Sequence, residues 1–97
     1  MATLHVLSHS PYSNSSLESC LRLLGEQDGL LLSGDAVYAL QTGSDANGKL
    51  TQATKALYAL EEDVTARNIS SDHNVQLVDY NAFVELCYQY DKVNSWL

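Results

Sequence analysis

Positive charge is scarce in this chain. Five Lys and Arg stand against twelve Asp and Glu, a formal net charge of −7 over 97 residues. Without a cationic field to hold a polyphosphate, direct binding to RNA or DNA is disfavoured. Cysteine is nearly absent: Cys20 and Cys87 lie far apart with no CxxC spacing, so neither a zinc knuckle nor a disulfide framework is suggested. Free thiols fit a reducing compartment. With a single proline, a charged fraction of only 18% and 45% hydrophobic residues, the chain reads as ordered and globular rather than disordered. No apolar run approaches the roughly 20 residues that span a bilayer, and no basic segment precedes a long apolar one at the amino terminus. These absences predict a soluble, cytoplasmic protein.

What is present is apolar. Hydrophobic residues make up 45% of the chain, while a domain of this size buries only roughly 60 to 65% of its unfolded surface. One domain, residues 1–97, with apolar side chains to spare is the expectation. Six tyrosines, Phe83 and Trp96 add to that surplus. Tyr80, Tyr88, Tyr90 and Trp96 crowd into the last fifth of the chain, and aromatics are enriched where proteins meet.

Short apolar runs alternate with helical patterns, the pattern of βα units that feed a parallel sheet. The first strand is read at Thr3 to Leu7 and is closed by Ser8 to Pro11, because proline fixes its own φ and keeps its predecessor out of the helical region. A helix follows from Asn14 or Ser15 and stops at Gly25, a residue suited to the left-handed position. Along it Leu17, Cys20, Leu21 and Leu24 recur at i, i+3, i+4 and i+7 and form one apolar stripe. Asp28-Gly29 turns the chain into Leu30-Leu31-Leu32, too continuously apolar for a strand with a wet face and so read as central and parallel.

Ala36 to Leu40 is a short helix or an extended continuation. Gln41 to Thr51 is a long polar loop, whose glycines do not stand between a strand and a helix start as a phosphate cradle requires. A third strand is read at Ala56 to Leu60. A short acid-led helix runs from Glu61 to Arg67, its charges suited to the helix dipole, and Asn68 closes it in the left-handed conformation. Val75 to Val78 is the fourth strand, and Asp79 caps a helix on which Phe83, Leu86, Cys87 and Tyr90 form a second stripe. Val93 to Leu97 adds an edge strand. The predicted class is a small three-layer α/β/α sandwich around a mostly parallel sheet of four or five strands.

Several stretches carry a resemblance in their order and spacing. They are Leu4-His5 with Ser10-Pro11, Asp28 with Leu30 to Leu32, Asp35 to Ala39, Tyr58-Ala59-Leu60 with Glu62-Asp63-Val64, Ala66-Arg67, Val78-Asp79-Tyr80 with Phe83-Val84, and Ser95-Trp96. Together they resemble the DsrH/TusB family of sulfur-relay subunits over nearly the whole chain. Asn68 departs from the glycine expected in relatives, but asparagine is the next best left-handed residue.

The resemblance implies a DsrE-like fold and an accessory or non-catalytic subunit of a sulfurtransferase complex. It implies partners too: paralogous DsrE-like and DsrF-like subunits in a hetero-oligomer, and a downstream sulfur-carrier protein. Such complexes pass persulfide sulfur toward 2-thiolation of the tRNA wobble uridine or, in another branch, serve intracellular sulfur oxidation. A stand-alone interaction or regulatory domain is the reading from a different class.

Cys20 is the candidate for chemistry, as a persulfide carrier. A relay thiol must ionise and be reachable, usually beside a cation or a helix amino terminus. Cys20 lies more than a turn inside its helix, and Arg22 and Glu18 point to other faces. A small hydrophobe packed against the sheet is the competing reading. Cys87, on one face with Phe83 and Tyr90, is read as packing, and His5 as a hydrogen-bonded strand histidine.

His9, Asp35, Glu61 to Asp63 and Asp79 should gather at the carboxyl edge of the sheet, where ligands of open α/β sheets bind. A flavin or nucleotide needs amides and positive potential there, so no cofactor is expected. A phospho-acceptor receiver needs a lysine near the end of a late strand, whereas Lys55 precedes the third. A divalent metal on His9, Asp35 and Asp63 competes with the simpler reading that each acid caps a helix, and no metal is assigned.

Overall fold

The structure, a computed structural model, describes residues 2–10, 16–40, 50, 56–69 and 75–96. The elements follow in the order β1 (Thr3–Leu7), α1 (Ser16–Leu23), β2 (Gly29–Leu32), a 3-10 helix (Gly34–Leu40), β3 (Leu57–Leu60), α2 (Glu61–Ala66), β4 (Gln76–Val78), α3 (Tyr80–Gln89) and β5 (Lys92–Trp96). Pro11, the helix start at Asn14 or Ser15, Lys55 and, apart from Leu50, the polar stretch 41–51 lie outside the described residues.

The five strands form one sheet in the order β4-β3-β2-β1-β5, and every neighbouring pair is parallel. The first three crossovers step in one direction across the sheet and the last returns past β1. Since parallel crossovers are right-handed, the reversal places α3 on the face opposite the earlier helices. Strand alternation divides the side chains accordingly. Leu7, Leu30, Leu32, Leu57 and Ala59 pack with Leu17 and Cys20 of α1, Val37 and Leu40 of the 3-10 helix and Val64 of α2. Leu4, Leu31 and Val78 face Leu86 of α3, with Phe83, Cys87 and Tyr90 packed alongside. All of β2 is buried, as its unbroken apolar run requires, whereas residues 92–95 of the edge strand β5 are exposed.

Local signals act where the sequence placed them. Asn68 has φ 51°, and its neighbours Arg67 and Ile69 return backbone bonds to Asp63 and Val64. The Asp79 carboxylate accepts the Ala82 N–H at 2.7 Å. Ala36 to Leu40 belongs to a 3-10 helix that begins at Gly34. Gly34 itself has φ +51°, and its N–H donates to Asp63 at 2.8 Å. Gly25 differs from expectation: α1 ends at Leu23, and Gly25 does not adopt the left-handed conformation. Asp28 holds it instead, through a side-chain bond to its N–H (2.9 Å) and a backbone bond to its carbonyl (3.2 Å).

Candidate functional site

The stripe on α1 puts Cys20 against the sheet, fully buried, together with Leu17. Burial and, secondarily, the charge of nearby Asp28 push its thiol up to about 12. A thiol with that value is ionised on the order of once in 10⁵ at pH 7, and the thiolate is the species that attacks sulfur. In the folded chain Cys20 is therefore shielded from a partner and held in its protonated form. Cys87, on α3, is half-buried and packs against the opposite core.

On the Cys20 face of the sheet, three residues distant in sequence join end to end. The Trp96 Nε1–H donates to His5 Nδ1 at 3.1 Å. An indole nitrogen can only donate, so Nδ1 is the bare nitrogen of the ring and Nε2 carries the proton. That Nε2–H faces Asp28 Oδ2 at 3.3 Å. Asp28 Oδ1 accepts the Thr3 N–H at 2.9 Å, and Oδ2 also accepts that of Gly25. Burial alone would raise the Asp28 pKa, but the Gly25 and Thr3 amides and the His5 ring outweigh it, and the carboxyl lies below its ordinary value of 3.8. One ionised side chain thereby ties the start of β1, its middle, the turn before β2 and, through His5, the edge strand β5.

His5 was legible as a hydrogen-bonded strand residue; its partners were not. The available signal was that Thr3, His5 and Leu7 share a face, and that a half-buried tryptophan needs an acceptor for its N–H.

The acids of the carboxyl edge are largely engaged. Arg67 binds Asp35 through Nη2 (2.9 Å) and Nε (3.1 Å), approaches Asp63 at 3.6 Å, and lies over the Tyr38 ring. Glu62 accepts the Tyr80 N–H at 3.1 Å. The structure thus brings Asp35, Asp63 and Arg67 together, with Glu62 and Asp79 each at an α3 amide. His9 is exposed beyond β1. Sequence reasoning took Arg67 for a helix-end cation and missed that it bridges two carboxylates. Among the described residues, no three His, Cys, Asp or Glu side chains are grouped to hold a metal ion. Beside this edge a shallow groove is lined by Glu61, Glu62, Thr65, Ala66 and Asp79. Among the described residues no helix is long and apolar enough to cross a membrane.

A family model described as DsrH like protein matches residues 9–93. Protein TusB of Pectobacterium parmentieri is 38% identical over 96% of this chain and 99% of its own length. Protein TusB of Serratia proteamaculans is also 38% identical over the same shares. Among solved structures, the ychN protein from E. coli superimposes with a TM-score of 0.78 at 19% identity, over 99% of this chain and all of its own. A protein of unknown function from Methanobacterium thermoautotrophicum gives 0.64 at 16% identity, over 96% of each chain. The two solved structures bear on the fold alone, and that fold is the five-stranded parallel sandwich described above.

Proposed function

This chain belongs to the DsrH family, and from that premise we propose that it is a subunit of a cytoplasmic sulfur-relay hetero-oligomer. The complex moves persulfide sulfur toward 2-thiolation of the tRNA wobble uridine, with DsrE-like and DsrF-like paralogues as partners and a sulfur-carrier protein downstream. Full-length similarity to proteins named TusB carries the reading.

Within such a relay a thiolate attacks the outer sulfur of a persulfide, a new S–S bond forms, the old one breaks, and the donor leaves as a thiolate. We propose an architectural role for this chain, on the observation that Cys20 is fully buried and its thiol pushed up to about 12. The chain shapes the surface on which partner thiols exchange sulfur, and its acidic balance leaves contact with tRNA to others. Cys20 is the position through which it would carry sulfane sulfur itself. That role requires α1 to lift from the sheet in the assembly.

The test is to purify the chain with its co-expressed paralogues, load the complex with labelled sulfur, and weigh each subunit intact. A persulfide adds about 32 mass units. The architectural reading expects the gain on a partner, with transfer unchanged in Cys20→Ser. A gain on this chain that vanishes in Cys20→Ser would replace it with the carrier role.

A further inference from the structure

Helix α3 is apolar on two sides. Phe83, Leu86, Cys87 and Tyr90 turn toward the sheet, yet Tyr80, Val84 and Tyr88, spaced i, i+4 and i+8 along one stripe, remain 62%, 42% and 85% exposed. A lone exposed apolar residue needs no explanation, but an aromatic stripe along one helix marks a contact surface. The charged side chains that flank Val84 and the Tyr80 end are acidic. Glu85 stands beside the stripe and is exposed. At the Tyr80 end, Glu62 binds the Tyr80 amide, and the adjoining groove has Glu61, Glu62 and Asp79 in its wall and, among the described residues, no Lys or Arg.

This combination selects among occupants. A second copy would bring the same acids against this rim, in a chain of net charge −7, so self-pairing is opposed. A face with apolar side chains flanked by lysine or arginine would bury the stripe and neutralise the groove together. We infer that the Tyr80-Val84-Tyr88 stripe and the acidic groove form one docking surface for a basic-flanked apolar face of a partner subunit. The inference rests on the subunit reading above and adds where the contact lies and what chemistry meets it.

The test co-expresses this chain, affinity-tagged, with its DsrE-like and DsrF-like paralogues and measures the partner recovered per tagged chain at low and high salt. The double variant Val84→Ser/Tyr88→Ser alters side chains that are 42% and 85% exposed and lie outside both core clusters, and its circular dichroism should match the parent. It should lower recovery at least about tenfold, the loss typical of truncated interface anchors. Glu61→Lys should reduce recovery most at low salt, where attraction is least screened. Leu23→Ser, which removes an apolar side chain 67% exposed on α1, should recover partner as the parent does.

Unchanged recovery by the stripe variant, an equal loss with Leu23→Ser, or homodimerisation of the parent through the stripe would each overturn the inference and leave the subunit reading standing. Failure of the parent chain to recover any partner would overturn both.

Discussion

Changing Asp28 to asparagine tests the buried network where its energy is concentrated. Among the described residues the carboxylate takes an N–H from Thr3 on Oδ1 and from Gly25 and His5 on Oδ2. Asparagine keeps a single acceptor oxygen. Turned toward Gly25 and His5, it presents its own NH₂ to the Thr3 amide, so at least one charge-assisted bond is lost and a part-buried donor is left without its acceptor. A hydrogen bond to a charged group contributes about 1.5–3 kcal/mol. For a chain of this size each 1 kcal/mol moves Tm by about 4–8 °C, so the expected fall is roughly 6–24 °C. Alanine removes the acceptor from all three donors, of which the exposed Gly25 amide can turn to water, and should cost about 2–4 kcal/mol.

The pH dependence separates charge from packing. Because the folded-state pKa of Asp28 lies below its ordinary 3.8, its stabilisation is complete above the unfolded value and is lost as pH falls through the folded one. The gap between parent and Asp28→Asn in thermal and urea melts should be full at pH 7 and close progressively below about pH 4. A variant within about 0.5 kcal/mol of the parent at pH 7, or a gap that stays constant to pH 3, would refute the argument.

The Tyr90 hydroxyl occupies the place of a Cβ on Gly29. Gly29→Ala should therefore cost about 1–3 kcal/mol by overpacking, and pairing it with Tyr90→Leu should be non-additive by more than about 0.5 kcal/mol in urea melts. At Asn68, held at φ 51°, alanine should lower stability by about 1 kcal/mol while glycine leaves it unchanged or raised. Asp79→Ala should cost about 1 kcal/mol, read as lost helicity and a lower Tm, since the Ala82 amide loses its cap. Under native alkylation Cys87 should react before Cys20, which is fully buried; modification of Cys20 at the rate of a free thiol would show that α1 opens readily.

The chain's local features were open to reading because their causes lie within a few residues of one another. The limits of β1, the left-handed Asn68, the Asp79 cap and the inward stripe of α3 each depend on neighbours one or two turns away. Gly25 shows how such reasoning fails: its type suits a left-handed cap, but the Asp28 side chain offered its amide another partner. The aromatics of the last fifth divided in a way that composition could not foresee. Tyr90 and Trp96 turned inward, while Tyr80 and Tyr88 stayed in solvent.

By itself the order of apolar runs, turn residues and caps determined a parallel α/β sandwich and its strand limits to within one residue, while the residue stretches from Leu4-His5 to Ser95-Trp96 carried the resemblance to the family. Tertiary structure alone decided that Trp96 reaches His5 across 91 positions, that Asp28 gathers donors from β1 and from the turn before β2, and that Arg67 serves both Asp35 and Asp63. The physical reason is that periodicity and capping act through bonds a few residues long, whereas a buried polar group takes whichever partner the crossovers bring within about 3 Å, and sequence spacing does not encode that distance.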